Sequence, residues 1–449
     1  LRVNNYFLNM KNLYLPKGFR PVAEQKKVFD LLNGTSSSMF LSGRAGTGKT
    51  SLIEYFRSRT KKNYLVLTHT GLAAVLARGK TIHSFFQLPP RLLLKGDSEI
   101  KKISSLSAIL ENLDMIIIDE ISTVRCDLLN AIDESIRKYR NPELPFGGIQ
   151  MVFVGDIYQI PPVAPNSQSE RDAFEQQYDG IWFFYNDAFK KLEDDLEFIE
   201  LKTNHRQKDE ILQNRLRDIL EGNVSPKLLD YFNSRKIDNN NNIVPPSSAI
   251  ALCPTNLLVN EYNDRYLSKL KGEEFSFYAD HKNFMVNEMP TEEKLILKEK
   301  ARVMMLNNDS EGRWVNGTFA TIRILKEDSI FITVSGPRGE NGPYEVRKHT
   351  WEKYKYPFIK GKPTVKNDGF FTQFPVRLAR AITIHKSQGQ TFENVYLDMG
   401  HGSFTHGQSY VALSRIKQLN GLYLKEPIKK EDIIFDDAIY DFTRKHSLI

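Results

Sequence analysis

Residues 41–52, LSGRAGTGKTSL, contain the pattern G-x-x-x-x-G-K-T. The pattern lies between a strand-like run, SMFLSG (38–43), and a helix-like run, SLIEYFRSR (51–59). At such a turn, glycines let backbone N–H groups approach phosphates, a lysine places a cation on them, and a threonine hydroxyl can ligate Mg²⁺. We therefore predict a site for the phosphates of a nucleoside triphosphate, formed by the following residues: Gly43, Gly46, Gly48, Lys49, Thr50 and Ser51.

Three further apolar runs repeat the strand signal. They are NYLVLT (63–68), DMIIIDE (114–120) and IQMVFVGD (149–156), and helical stretches separate them. Buried strands that alternate with crossover helices are typical of a parallel sheet. The sequence therefore predicts an α/β fold.

The pattern changes in the second half of the chain. A second α/β region follows the first, and short strands with glycine-rich turns at about 283–366 indicate antiparallel pairing. We predict a small β-barrel inserted into this second α/β domain. The predicted boundaries are 1–182 for the first domain, 183–282 and 367–449 for the two parts of the second domain with a C-terminal extension, and 283–366 for the barrel.

Two strand-like runs end in polar side chains that suit phosphate hydrolysis. Asp119 closes the run DMIIIDE, where a carboxylate can hold Mg²⁺ through water, and Glu120 beside it can polarise an attacking water. Gln159 follows the next run and either senses the γ-phosphate or belongs to an ordinary turn. The reaction also needs cations that neutralise developing charge. Arg206 and Arg415 are candidates for this role, with a surface salt bridge as the alternative for each.

Composition limits the class of protein. The chain has 449 residues, a hydrophobic fraction of 41% and a formal net charge of +7. This length suggests about three domains, and the positive charge permits a polyanionic partner such as nucleic acid. No apolar run approaches the ~18 residues of a membrane helix, so no membrane association is expected. The two cysteines, Cys126 and Cys253, have no metal-ligand spacing around them and fit a reducing compartment. We expect the cytoplasm of a bacterium or phage host, or the nucleus or mitochondrion if the chain is a trimmed eukaryotic core.

In order along the chain, the motifs resemble those of superfamily-one DNA helicases, most closely the Pif (petite integration frequency) family, relatives of the RecD group. The resemblance covers nearly the whole chain, and its motifs are specific in combination. They are AEQKKVFDLL (23–32), GRAGTGKT (43–50), LTHTGLAAVLARGKTIHSFF (67–86), IIDEIS (117–122), GDIYQIPPV (155–163), LKTNHRQ (201–207), AITIHKSQGQTF (381–392) and GQSYVALSR (407–415).

The resemblance implies an ATP-driven motor that moves 5′-to-3′ on single-stranded DNA and unwinds tailed or forked duplex DNA. Quadruplex DNA stays open as a substrate, because the motifs do not encode a preference for it. It also implies two RecA-like domains, ATP and Mg²⁺ as cofactors, and a monomer in solution. The residues that it assigns to ATP are Gln25, Lys49, Thr50, Asp119, Glu120, Gln159, Arg206, Gln388, Gly389 and Arg415, with Thr50 and Asp119 at the metal. Those that it assigns to the DNA path are Thr70, Thr81, His83, Phe85, Thr383 and His385.

Threonine and histidine can donate hydrogen bonds to phosphates without holding them in place by charge. Phe85 is either a stacking platform for a base or part of the core. The stretch 87–105 lies where relatives carry a small wedge that splits the duplex, and its expected tip is Leu88, Pro89 and Pro90. The predicted barrel resembles the Src-homology-type insert of the family. His69 and Thr123 depart from the residues that the family commonly carries at these positions.

Three alternatives stay open at this level. The chain could be a single-strand translocase, or DNA-stimulated ATPase, that separates strands weakly. It could be a DNA clamp in which ATP only switches affinity. A phosphate-loop enzyme unrelated to DNA would leave the motifs at 67–86, 381–392 and 407–415 unexplained.

Overall fold

The computed structural model describes residues 19–448 apart from 45, 78, 204–208, 239–242, 337–338, 356 and 360–361. These residues form two compact units. Unit 1 contains the chain up to Asn223, the segment Thr405–Tyr410 and the segment that starts at Ile434. Unit 2 contains Val224–Phe404 and Val411–Ile433. Within the described ranges, no helix is long and apolar enough to cross a membrane.

Unit 1 is built on a six-stranded parallel sheet with the order β3-β2-β4-β5-β1-β6. Its strands are β1 (Met39–Gly43), β2 (Tyr64–Thr68), β3 (Lys80–Thr81), β4 (Met115–Asp119), β5 (Gln150–Gly155) and β6 (Glu197–Leu201). Its helices before Asn223 are α1 (Ala23–Gly34), α2 (Lys49–Arg57), α3 (Gly71–Leu76), α4 (Ile82–Phe86), α5 (Ser104–Glu111), α6 (Cys126–Arg137), α7 (Gln168–Glu175), α8 (Asp187–Leu192) and α9 (Glu210–Leu220).

The central strands of this sheet are the apolar runs of the sequence. Every residue of β1, β2 and β5 is buried, as expected for a parallel sheet that helices cover on both faces. The carboxyl ends of β1, β4 and β5 therefore meet at one edge, where the phosphate loop and the predicted catalytic residues follow.

Unit 2 combines a parallel sheet with antiparallel sheets. The parallel sheet has the order β20-β7-β21-β22, and a five-stranded antiparallel sheet has the order β14-β13-β12-β11-β19. The strands are β7 (Ile250–Cys253), β8 (Phe275–Tyr278), β9 (Asp280–Lys282), β10 (Lys294–Leu297), β11 (Arg302–Met305), β12 (Phe319–Leu325), β13 (Ile330–Gly336), β14 (Gly339–Val346), β15 (His349–Lys355), β16 (Phe358–Ile359), β17 (Lys362–Pro363), β18 (Lys366–Gln373), β19 (Val376–Leu378), β20 (Ala381–Thr383), β21 (Val395–Leu397) and β22 (Leu422–Leu424). The remaining helices of the chain are α10 (Pro226–Asn233), α11 (Asn256–Lys269), α12 (Gln408–Leu413) and α13 (Asp437–Lys445).

The structure divides the chain differently from the sequence analysis, which ended the first domain at residue 182. Strand β6 pairs in parallel with β1, from Met39 opposite Glu197 to Gly43 opposite Leu201, so unit 1 continues to Asn223. Helix α13 also belongs to unit 1, although the sequence analysis placed 367–449 in the second domain. Both elements lie far in sequence from the strands and side chains that they pack on, and periodicity alone does not report such partners.

The antiparallel region is also wider than the predicted 283–366. It starts with β8 at Phe275 and ends with β19 at Leu378. Strand β18 begins with the polar residues KNDG, which are depleted in strands and obscure its start. The core of this region joins apolar side chains from both ends, including Phe277, Ile322 and Val376.

Candidate ATPase site and nucleic-acid path

The phosphate loop has the backbone that its glycines predict. Gly46 and Gly48 have φ values of +91° and +81°. Residues other than glycine rarely adopt such positive φ values. A Cβ at Gly43 would lie 2.5 Å from Thr47 Oγ1. The three glycines therefore allow the tight turn between β1 and α2 that exposes backbone N–H groups to phosphates.

Lys49 and Gln25 both hydrogen-bond to this loop. Lys49, the first residue of α2, donates from Nζ to the carbonyl oxygens of Gly43 and Arg44. Gln25 is fully buried, and its Nε2 donates to the Thr47 carbonyl at 3.5 Å. Thr50 is exposed and Ser51 half-buried in the first turn of α2. The structure thus brings Gln25 and the loop residues together.

Asp119 and Glu120 lie at the carboxyl end of β4. Glu120 has φ +54° and ψ +44°, a left-handed conformation that is uncommon outside glycine and often marks functional sites. Its backbone N–H donates to Asp119 Oδ1 at 2.9 Å. Burial raises the pKa of Asp119, while the positive charge of Lys49 and this hydrogen bond oppose the change. Lys49 and Asp119 are therefore close enough to interact electrostatically.

Gln159 belongs to a buried polar network at the end of β5. Its Nε2 donates to Asp156 Oδ2 at 3.3 Å, and Tyr410 Oη donates to the same oxygen at 2.9 Å. Gln159 Oε1 is buried and has no hydrogen-bond partner among the described residues. An orphaned buried acceptor is costly unless a donor completes it. Sequence reasoning did not assign a role to Tyr410, because it lies 254 positions from Asp156.

Of the two predicted arginines, Arg206 lies outside the described residues. Arg415 is 1% exposed, and its Nη1 donates to the carbonyl oxygens of Ser387 and Gln390 at 3.2 and 3.0 Å. These carbonyls flank Gln388 and Gly389. The structure therefore shows Arg415 bound to the loop that carries two other predicted ATP residues, all within unit 2.

Three threonines of the predicted DNA path share one hydrogen-bond pattern. Each hydroxyl oxygen accepts from the backbone N–H three residues later, as an N-cap does. The pairs are Thr70 with Ala73 (3.2 Å), Thr81 with Ser84 (3.2 Å) and Thr383 with Lys386 (3.4 Å). Since a hydroxyl has one donor and two acceptor positions, each side chain keeps its O–H as a donor for another group.

The predicted histidines differ from the threonines. His83 Nδ1 lies 3.3 Å from the Leu88 carbonyl, which only accepts, so Nδ1 carries the hydrogen and Nε2 is left as an acceptor. Burial lowers the pKa of His83, which keeps the ring neutral. Burial, with the charges of His83 and Arg125, lowers the pKa of the neighbouring His69 to about 4. In this tautomer His83 presents Nε2 as an acceptor rather than as a donor.

Phe85 is 3% exposed, and its ring packs edge-to-face on Phe86 with a centroid separation of 4.9 Å. The core interpretation of Phe85 agrees with this placement better than a stacking platform does. Leu88, expected at the tip of the stretch 87–105, is 5% exposed. Of the three expected tip residues, Pro89 is half-buried and Pro90 exposed.

The stretch 87–105 is irregular up to the start of α5 at Ser104 and is held to unit 1 by side-chain hydrogen bonds. Arg91 forms a bidentate pair with Asp97 at 2.6 and 3.0 Å, and both side chains are nearly inaccessible. Asp127 of α6 accepts from the Leu93 N–H at 3.0 Å, and Tyr178 donates to the Leu93 carbonyl at 3.2 Å. The stretch is thus a rigid strap on α6.

The fold and this site define a phosphate-loop ATPase. A family model described as "PIF1-like helicase" matches residues 22–226. The chain is 32% identical over 413 residues to the ATP-dependent DNA helicase Pif1 of Bdellovibrio bacteriovorus. The matched region covers 89% of this chain and 87% of that protein. It is 29% identical over 447 residues to the protein of the same name from Campylobacter jejuni, with 92% and 95% covered.

Solved structures of Pif1 helicases also match this chain. The crystal structure of Bacteroides Pif1 bound to ssDNA matches with a TM-score of 0.81 and 33% identity, over 96% of this chain and 98% of that one. The complex of the Bacteroides helicase with ADP-AlF3 and ssDNA gives the same score at 32% identity, with the same coverage. The chain belongs to the Pif1 family of ATP-dependent DNA helicases and has its two RecA-like domains.

Proposed function

We propose that this member of the family uses ATP hydrolysis to move 5′-to-3′ along single-stranded DNA and to separate tailed or forked duplex DNA. The observation that carries the proposal is the gathering of the phosphate loop, Asp119–Glu120 and the orphaned Gln159 amide at one edge of the unit 1 sheet. Its support is the likeness, over nearly the whole chain, to helicases whose structures are described with ssDNA and ADP-AlF3.

The donor set fits ATP and Mg²⁺. Thr50 and Asp119 offer the oxygen ligands that Mg²⁺ prefers, and Mg²⁺ commonly takes one or two protein ligands together with substrate phosphates and water. When bound, the ion neutralises charge on the phosphates. Lys49 adds a cation to the same oxygens, and Glu120 orients the attacking water and accepts its proton. The free Oε1 of Gln159 accepts a hydrogen from that water.

Arg206, Arg415, Gln388 and Gly389 complete the proposed ATP contacts. A guanidinium is a strong stabiliser of transition-state charge in phosphoryl transfer. Because Arg415 holds both carbonyls beside Gln388 and Gly389, we assign it a positioning role in addition to the charge that it supplies. To Arg206 we assign the role that its motif implies, which is to neutralise the charge that develops during phosphoryl transfer.

The proposed DNA contacts use threonine hydroxyls and histidine rings. Thr70, Thr81 and Thr383 donate their hydroxyl hydrogens to phosphate oxygens. Each hydroxyl oxygen still accepts from the backbone N–H three residues later. His83 accepts from a base amino group through Nε2, and His385 contributes from its turn. In the strap 87–105, Pro89 and Pro90 form the proposed wedge tip.

A single-strand translocase that separates strands weakly is the second candidate. The observation that favours it is the burial of Leu88, which leaves a small exposed tip. We also propose a monomer in a reducing compartment such as a bacterial cytoplasm. In support, both cysteines are free and buried, and burial raises the pKa of each thiol to about 12.

The test uses one duplex with a 5′ single-stranded tail and the same duplex with a 3′ tail. Strand release and ATP hydrolysis are measured with Mg²⁺, and Lys49→Ala serves as the inactive control. Release from the 5′-tailed substrate alone is the expected result. DNA-stimulated hydrolysis without release from either substrate would favour the translocase, and hydrolysis indifferent to DNA would refute both.

A further inference from the structure

Phe404 is an aromatic side chain that the assigned site does not use. Of the phenylalanines whose side-chain burial the structure describes, only Phe404 and Phe435 are exposed, at 59% and 42%. Leaving a phenyl group exposed to water is less favourable in free energy than burying it. Phe404 lies in the loop between β21 and α12 and is the last residue of unit 2 before Thr405.

The loop that carries Phe404 has a fixed conformation. Gly400 and Gly402 have φ values of +57° and +109°, and the Gly400 N–H donates to the buried Asp398 carboxylate at 2.9 Å. A Cβ at Gly402 would lie 2.5 Å from Asp432 Oδ1. These close approaches just before Phe404 show that the loop leading to it is packed against its surroundings.

The Phe404 ring is aligned with a residue of the predicted DNA path. Its plane lies 20° from that of His385, with ring centroids 6.2 Å apart. Ring pairs interact at centroid separations of about 4.5–7 Å, so the two rings orient each other. Burial lowers the pKa of His385, which keeps its imidazole neutral near pH 7.

One cation lies next to His385 in sequence, and a second cation lies near the first. Lys386 follows His385 in sequence. Burial and then the positive charge of the nearby Arg377 lower the pKa of Lys386 to about 8. Arg377 also meets Glu292 at 3.3 Å. Positive charge thus lies on the residue beside His385, and proteins bind single-stranded nucleic acids by combining cations that follow the backbone with rings that stack on bases.

The size of the exposed surface selects the occupant. A stable protein interface needs about 800 Å² from each partner, far more than one phenyl group offers. A nucleobase matches a single ring in area and requires no hydrogen-bond complement. We propose that Phe404 stacks on one base of the bound single strand and that the parallel His385 ring holds it in the stacking orientation.

This inference rests on the proposed function and is tested by binding. The probe is a (dT) oligonucleotide, intact or with one abasic nucleotide placed at successive positions. We expect Phe404→Ala to weaken binding of the intact strand about 5- to 100-fold, the effect of losing one stacked base. An abasic nucleotide at one position should weaken wild-type binding to a similar extent and leave Phe404→Ala unaffected. Phe404→Trp should restore affinity.

Tyr440→Ala is the matched control, because Tyr440 is 58% exposed and lies in unit 1. It should bind like the wild type. Equal affinity of Phe404→Ala and the control would overturn the inference, and so would an abasic profile that is the same in Phe404→Ala and the wild type. Failure of the wild type itself to bind the strand would instead refute the proposed function.

Discussion

At the scale of single residues, the hydrogen bonds around Asp156 show how a buried carboxylate fixes the Gln159 amide. Asp156 is fully buried and accepts from Tyr410, Gln159 and the Tyr158 N–H. Two of these donors come from one turn, and Tyr410 comes from the distant segment Thr405–Tyr410. The strand pattern predicted Asp119 and the phosphate loop, because short motifs carry them. It could not predict the pairing of Asp156 with Tyr410, which depends on tertiary contact.

Tyr410→Phe should therefore slow ATP turnover. Removal of one donor from a buried carboxylate costs about 1–3 kcal/mol of stability. The Asp156 carboxylate is then held less firmly, and the Gln159 amide bonded to it loses its fixed position. We expect kcat to fall about 10-fold with a smaller change in KM for ATP, measured by steady-state hydrolysis. Tyr178→Phe, which also removes a buried tyrosine hydrogen bond in unit 1, should lower stability without this loss of kcat. Equal kinetics in the two variants would contradict a role for the Asp156 network.

Arg415 provides a second residue-scale prediction. Lysine keeps the charge but cannot reach the Ser387 and Gln390 carbonyls together, because it lacks the planar fork of a guanidinium. Arg415→Lys should lower kcat at least about 10-fold and increase hydrogen exchange at residues 387–390. Arg235→Lys is the control, since Arg235 also donates to two backbone carbonyls in unit 2, those of Leu422 and Asn420. Wild-type exchange at 387–390 in Arg415→Lys would exclude the positioning role.

At the scale of elements, the central strands and the edge elements differ in how well the sequence predicts them. Strands β2, β4 and β5 are buried on both faces, so their apolar runs are continuous and easily recognised. Strand β6 reads EFIEL and is only partly buried, so neither its sheet nor its neighbour could be predicted. The strap 87–105 has no periodicity at all, and its hydrogen bonds to α6 are visible only in the fold.

The strap supplies an element-scale prediction through its buried ion pair. Asp97→Asn should remove the carboxylate charge that faces the buried Arg91 guanidinium. Breaking a buried ion pair from one side costs about 3–5 kcal/mol, and the change should therefore loosen the strap. If residues 87–105 form the wedge, unwinding of the 5′-tailed duplex should fall sharply while ssDNA-stimulated hydrolysis changes little. A control with Glu99→Gln alters an exposed carboxylate of the same stretch. Parallel loss of unwinding and hydrolysis in Asp97→Asn would contradict a separate wedge.

The same pair predicts a dependence on pH. Burial acts to raise the pKa of Asp97, but hydrogen bonds from Arg91 and the Glu99 N–H outweigh it and hold the pKa below its ordinary value. A carboxyl group with a lowered folded pKa contributes stability above its unfolded pKa, about 3.9, and loses it as the pH falls through the folded value. The strap should therefore become more accessible to protease below about pH 4, and Asp97→Asn should abolish this acid transition.

At the scale of the whole molecule, the two units share the chain in an interleaved order. Unit 1 begins and ends the described sequence, and unit 2 occupies two segments within it. The segment that starts at Ile434 therefore stabilises unit 1, although it directly follows unit 2 in sequence. This arrangement could not be predicted from the sequence, because amphipathic periodicity identifies a helix but not the surface on which it packs.

Phe442 tests this arrangement. It is 5% exposed, stacks on Phe184 at 4.5 Å and packs edge-to-face on Phe40 at 5.7 Å, so α13 fills the aromatic core beneath β1. Phe442→Ala should lower the stability of unit 1 by about 3–5 kcal/mol, the usual cost of removing a buried phenyl group. Hydrogen exchange should then increase in β1 and β6 and leave β12 and β13 of unit 2 unchanged. Tyr440→Ala, on the same helix and 58% exposed, should alter neither. Faster exchange in β12 and β13, without change in β1, would mean that α13 stabilises unit 2 instead.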